Sequence, residues 1–210
     1  MEFQTLLLFT IASLSINLIP GPDVVYIVSN TMKGRMQAGL KAAMGLGVGY
    51  FLHTLAAVFG LSALILSSAV AFSVVKYLGA AYLLYLGISS LRNMLRGQSS
   101  LTMTAASSSA NESIFRQGVV VSVLNPKVAL FFLSFLPQFI EVGQGSTSMQ
   151  LLMFGLLFSA LATGCNVVYA LLGSWLFNNP KVARYTRVIE GVSGVLLIGL
   201  AGKIALSKDS

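Results

Sequence analysis

Apolar residues fall in long blocks along this chain, and polar residues are confined to the short segments between them. Six blocks can be drawn, at roughly 4–30, 42–66, 73–91, 117–140, 149–177 and 188–206. A helix needs about 20 apolar residues to cross the hydrocarbon of a bilayer, so each block is read as one crossing. The pattern predicts an all-α polytopic membrane protein with six transmembrane helices. The N-terminal stretch MEFQTLLLFT has no positively charged region and no small-residue cleavage site. It is therefore expected to be the start of a retained first span and not a signal peptide.

The segments between blocks alternate in charge. Lys33, Arg35 and Lys41 occupy the first; Arg92, Arg96 and Arg116 flank the third; Lys181, Arg184 and Arg187 crowd the fifth. The second, SSAVAFSV, is uncharged apart from Lys76 just beyond it, and the fourth carries only Glu141. Basic loops stay in the cytoplasm, which predicts connections one, three and five inside and both termini on the periplasmic side. The third connection, QSSLTMTAASSSANES, is rich in small polar residues and reads as a flexible cytoplasmic linker over 98–113. It divides one membrane domain into a first three-helix repeat, 1–97, and a second, 114–210. An odd number of spans per half turns the halves upside down relative to one another, the arrangement of a 3+3 inverted repeat.

Two short matches support a repeat. A shift of 104 residues lays Pro22-Asp23-Val24 on Pro126-Lys127-Val128. GAAYLLYLGI from Gly79 resembles GVLLIGLAGK from Gly194, with a second glycine at the same interval in each.

Composition agrees with this picture. Of 210 residues 56% are hydrophobic and 9% charged, and the mean hydropathy is +0.84. A soluble domain averages about 25% charged residues. The net charge of +7 lies in short clusters between apolar blocks, a topology signal and not the basic patch of a nucleic-acid protein. The single cysteine, Cys165, allows no disulfide within the chain, and no metal-ligand spacing occurs. Nothing in the sequence calls for a cofactor or an enzyme: there is no Ser-His-Asp grouping, no HExxH and no phosphate loop.

The candidate chemistry lies inside the blocks. Pro20, Gly21 and Pro22 interrupt the first block, and Pro126 interrupts the fourth. Proline removes a backbone hydrogen bond, and in hydrocarbon a broken span is tolerated only beside protein or a wet cavity. Each break is expected near mid-depth, where it opens a half-helix whose amide donors suit a carboxylate. Asp23 and Lys127 directly follow these prolines, at matching positions of the two halves. A charge at the bilayer centre costs at least ~2.5 kcal/mol. Two opposite charges offset that cost by pairing, or by holding a ligand that carries both signs, as a free amino acid does. A structural staple with no ligand remains the alternative.

Asn17 and Asn125, in NLIPGPD and VLNPKVAL, lead into the two breaks and join the expected substrate and proton pathway. His53, the only histidine, reads either as a neutral imidazole bonded to a neighbouring helix or as a proton-relay or substrate contact. Asn166 is interhelical glue or a cavity group. Tyr82, Tyr85 and Tyr169 read as packing before pathway hydroxyls. In GLGVGY, Gly45 and Gly49 are spaced for close helix approach, within one chain or on a homodimer face.

The segments PGPDVVYIVSNTMKGRMQAGLKAAMGLGVGYFLHTLAAVFGLSALI, LGAAYLLYLGISSLR and NPKVALFFLSFLPQFI resemble the lysine exporter/homoserine–threonine resistance (LysE/RhtB-type) efflux family. The resemblance covers nearly the whole chain outside the linker. It implies a six-span exporter of amino acids or close derivatives in the bacterial inner membrane, driven by protons. Asp23 and Lys127 match the polar positions of the two family segments, and the prolines match its helix breaks. Relatives differ in substrate; lysine would be an awkward guest beside Lys127, which favours neutral amino acids. The competing readings are a non-transporting membrane scaffold and an ion exporter or channel on the same architecture.

Overall fold

Proline decides where two of the helices begin. In the computed structural model, which describes residues 3–63, 69–96, 113–141, 143–178, 188, 191–199 and 201–202, helix α1 runs Phe3–Leu18 and α2 starts at Pro22. Helix α4 spans Ser113–Val123 and α5 starts at Pro126. Both prolines occupy the first helical turn, where a missing N–H is no loss and the fixed φ already suits a helix. The chain bends by 54° between α1 and α2 and by 44° between α4 and α5. Each bent pair is long and apolar enough to cross a membrane as a unit.

The remaining helices are α3, Ala69–Leu95; α6, Thr147–Asn178; and α7 over 191–199. Helix α2 ends at Ala56 and continues through a π-helical turn, Ala57–Leu61. Helix α5, Pro126–Leu130, continues through a π-helical turn, Phe131–Phe135, and a 3-10 turn, Leu136–Phe139. The described residues form helices and turns, with no strand among them. Met36–Leu61 and Thr147–Leu172 are each apolar and long enough to cross a bilayer alone. The chain is an all-helical membrane protein. Of the expected linker over 98–113, residues 98–112 lie outside the described residues and Ser113 opens α4; the basic residues Lys181, Arg184 and Arg187 also lie outside them.

Helical backbone runs without a gap from Pro22 to Ala56, through the first connection. The chain nevertheless reverses inside that element. The Tyr50 hydroxyl reaches Asp23 at 3.4 Å, whereas 27 residues of straight helix would separate them by about 40 Å. Gly39 packs against Thr31, so the reversal falls between these two. Lys41, just past it, is exposed.

The core is aromatic. Phe9 of α1 meets Phe131, Phe135, Phe139 and Phe154, with ring centroids 4.7–6.5 Å apart. Phe158 of α6 stacks on Phe131 at 4.4 Å and meets Phe132 edge-on. These rings join α1, the α5 extension and α6. Apolar burial drives association weakly when the solvent is lipid, so helix pairs in membranes rely on close packing through small residues. Helices α2 and α4 cross where a Cβ on Gly118 would lie 2.9 Å from the Ala42 carbonyl. Gly45 meets Phe115 and Gly118 of the same helix, and Gly49 meets its Ser122. Gly45 and Gly49 of GLGVGY therefore face α4 within the chain, while Gly47 between them faces Thr163 of α6. Helices α3 and α7 approach similarly: a Cβ on Gly87 would lie 2.7 Å from the Gly194 carbonyl.

Gly118→Ala should force α2 and α4 apart and lower the thermal midpoint in detergent, since overpacking costs about 1–3 kcal/mol. Gly164→Ala, whose added methyl meets nothing within 4 Å, should leave the midpoint equal or higher.

Candidate functional site: a buried ion pair between two helix breaks

Where α1 ends and α2 begins, the carbonyl of Ile19 falls outside the helical ladder. Lys127, in the first turn of α5, donates from Nζ to that carbonyl at 3.0 Å and to Asp23 Oδ1 at 3.2 Å. The two side chains are 6% and 1% exposed, so this is a charge pair removed from solvent. Asp23 sits in the first turn of α2, where the helix dipole favours a negative charge. Lys127 sits in the first turn of α5, the end at which a cation is disfavoured. Its charge is therefore held by its partners and not by its own helix.

The local sequence shapes each break. Asn125 caps α5, its Oδ1 accepting from the Lys127 backbone N–H at 3.0 Å. Gly21, at the matching position before α2, has no side chain to cap with. A Cβ there would lie 2.8 Å from Asp23 Oδ1 and 3.0 Å from Lys127 Nζ. Its backbone is extended (φ −135°, ψ −169°), so room for the ion pair, not backbone freedom, demands glycine. Pro20 is buried beside it.

The pair extends into a chain of hydrogen bonds. Tyr50 of α2 donates its hydroxyl to Asp23 Oδ2 at 3.4 Å. Asn166 Nδ2 of α6 donates to the Tyr50 oxygen at 2.8 Å. Asn166, Tyr50, Asp23, Lys127 and the Ile19 carbonyl thus link α6, both arms of α2, α5 and the first break. Tyr169 donates to the Leu18 carbonyl at 3.3 Å, tying α6 to the same break.

Among the described residues four buried polar side-chain atoms have no hydrogen-bond partner: Ser13 Oγ and Asn17 Oδ1 on α1, Ser122 Oγ on α4, and Asn125 Nδ2 at the second break. Asn17 Nδ2 is satisfied by the Ser13 carbonyl at 2.7 Å. A buried polar group left unpaired costs about 1–3 kcal/mol, and such groups in native proteins ordinarily meet water or a ligand. Asn17 leaves an acceptor and Asn125 a donor, on opposite breaks.

His53 stands apart from this network. It is half-buried on α2, donates from Nε2 to the Ser122 carbonyl at 3.1 Å, and stacks on Phe132 with centroids 5.6 Å apart. Tyr82 and Tyr85 stack on one another along α3, and Tyr85 is largely exposed. Among the described residues no group of three or more His, Cys, Asp or Glu could hold a metal ion. Tyr50, Ser13 and Ser122 were not legible as site residues. Tyr50 reaches Asp23 only because α2 folds back, and nothing in GLGVGY announces that.

Residues 14–208 match the family model described as LysE type translocator. The chain belongs to the LysE-type translocator family. It is 32% identical over 196 residues to the uncharacterized membrane protein YrhP of Bacillus subtilis (strain 168), covering 90% of this chain and 93% of that protein. It is 31% identical over 205 residues to a leucine efflux protein of Enterobacter sp. (strain 638), covering 94% of this chain and 93% of that one. A leucine efflux protein of Salmonella choleraesuis (strain SC-B67) is 30% identical over 211 residues, covering 94% and 92%. No solved structure matches. The family is described as a translocator, and two of these relatives are named as efflux proteins.

Removing one member of a buried pair strands the other charge, at a cost of about 3–5 kcal/mol. Asp23→Asn and Lys127→Met should each lower the thermal midpoint of this translocator in detergent. The double variant should recover part of that loss, with a coupling of roughly 0.5–3 kcal/mol in a double-mutant cycle.

Proposed function

We propose that this LysE-type translocator is a secondary transporter that exports neutral amino acids across the bacterial inner membrane in exchange for protons. The observation that carries this reading is the Asp23–Lys127 pair, buried between two helix breaks at matching positions of the chain. A zwitterion offers one charge to each member. Its ammonium replaces Lys127 on Asp23, and its carboxylate replaces Asp23 on Lys127. The unpartnered Asn17 oxygen suits the ammonium and the unpartnered Asn125 amide the carboxylate. The relatives named leucine efflux proteins support amino acids as the cargo class.

Proton coupling follows from the same competition. A proton entering from the periplasm neutralises Asp23 and releases the cargo's ammonium outward. Loss of that proton to the cytoplasm restores the carboxylate for the next cargo. Tyr50 and Asn166 hold the Asp23 carboxylate in position for both exchanges. A second cationic group on the cargo would face Lys127, which disfavours lysine.

The architecture we propose is the 3+3 inverted repeat, with α1–α2 and α4–α5 as the broken spans and both termini periplasmic. Contacts that recur in both halves support it. The α2–α4 crossing has its counterpart in the packing of α1 on α6, and α3 meets α7. Exposed Lys41, Arg92, Arg96 and Arg116 support cytoplasmic odd-numbered connections. Alternating access then arises from one half rocking against the other about the ion pair.

In proteoliposomes, counterflow of neutral amino acids should accelerate when the side receiving cargo is made acidic. Asp23→Asn/Lys127→Gln, which keeps the site's shape without its charges, should abolish the pH dependence and lower exchange at least tenfold, the low end for a charged hydrogen bond. Undiminished, pH-dependent exchange in that variant would remove the pair from the transport cycle and leave it a structural staple.

A further inference from the structure

Each helix break strands a particular carbonyl. A helix bonds the N–H of each residue to the carbonyl four residues back, and proline has no N–H to offer. Pro22 therefore cannot bond the Leu18 carbonyl, nor Pro126 the Ser122 carbonyl. These two carbonyls match under the same shift of 104 residues that lays Pro22 on Pro126. A ring side chain from another helix bonds each of them. Tyr169 of α6 donates its hydroxyl to the Leu18 carbonyl at 3.3 Å, and His53 of α2 donates from Nε2 to the Ser122 carbonyl at 3.1 Å. The Ser122 carbonyl also accepts the Asn125 backbone N–H at 3.1 Å.

The two donors lie on opposite sides of the ion pair. Helix α2 with its π-turn runs antiparallel to α6: Gly47 packs on Thr163, Thr54 Oγ1 lies 3.3 Å from Ser159 Oγ, and Ser62 Oγ lies 2.8 Å from Ser148 Oγ. Tyr50 and Asn166 meet at the level of Asp23. His53 lies three residues beyond Tyr50, and Tyr169 three beyond Asn166. Three residues of helix displace each donor by about 4.5 Å from that level, in opposite directions. Under the topology proposed above, His53 lies toward the periplasm and Tyr169 toward the cytoplasm. Each bond also crosses between the proposed halves. His53 of the first half holds the break of the second, and Tyr169 of the second holds the break of the first.

We propose that His53 and Tyr169 are paired positioning residues whose bonds to the two breaks release alternately as the halves rock. The proposal rests on the exporter reading above. Rotation of one half against the other about the ion pair separates them on one side and closes them on the other. It therefore stretches one bond and spares its counterpart. A carbonyl left without its donor in low dielectric is costly, which makes each bond a restraint on opening at its own side. In this structure both bonds are made, and the Asp23 and Lys127 side chains are 1% and 6% exposed. That is the arrangement of a site closed to both faces.

The test is leucine counterflow in proteoliposomes of a single orientation, with the half-saturating leucine concentration measured separately at the cytoplasmic and periplasmic faces. His53→Phe and Tyr169→Phe each keep a ring and remove the donor. One net hydrogen bond changes a conformational equilibrium by a factor of about two to ten, and apparent affinity follows the population of the binding-competent state. His53→Phe, which frees the periplasmic side, should lower half-saturation at the periplasmic face by that factor and raise it at the cytoplasmic face. Tyr169→Phe should do the reverse. His53→Gln, which keeps a donor, should return both values toward native. Loss of exchange, or shifts in the same direction at both faces, marks a merely structural role and would overturn the proposal, as would no shift in either phenylalanine variant. Absence of exchange for every amino acid in the native protein would instead overturn the exporter reading, and the alternating release with it.

Discussion

A backbone carbonyl released inside a membrane has no water to turn to, and that constraint organises this molecule. The chain breaks α1 from α2 at Pro20–Gly21–Pro22, which leaves the Ile19 carbonyl outside any helix. Lys127 takes up that carbonyl and in doing so comes within 3.2 Å of Asp23. Each group resolves a difficulty posed by another: the ammonium satisfies the carbonyl, the carboxylate neutralises the ammonium, and Gly21 leaves room for both. The break and the ion pair are one structural unit, since either alone would leave a polar group or a charge unmatched in low dielectric.

The rest of the fold holds that unit in register. The α2 hairpin returns Tyr50 to Asp23, and α6 supplies Asn166 behind it. Close crossings at Gly45, Gly49 and Gly118 bring α4 near enough to α2 for Asn125 and Lys127 to reach the first break. Around this polar centre the phenylalanines of α1, α5 and α6 form a dense apolar collar, which excludes water and strengthens the electrostatics inside it. The proposed transport cycle uses the same feature: a pair stable enough to persist without cargo, yet replaceable by a zwitterion that presents both charges.

The two π-turns give the site an asymmetry that the matching prolines do not have. Both lie on the side of the network occupied by His53 and Phe132, and both bound an apolar cavity.

Much of this was legible in the residues themselves. Long apolar blocks make membrane helices because only a hydrogen-bonded helix hides its backbone in lipid, and proline in such a block forces a helix start wherever it falls. Asp23 and Lys127 stood out for the same reason, since an uncompensated charge in an apolar block is costly enough to demand a partner. Tertiary structure alone decided the rest. The first connection is helical backbone that doubles back, and that reversal, not any local motif, brings Tyr50 to Asp23. His53 went to Ser122 and Phe132 instead of the charges, because its helix face is set by how α2 packs on α4. Local sequence governs backbone hydrogen bonding and where a charge sits along the chain; which side chains meet across 27 or 104 residues depends on packing that no single segment encodes.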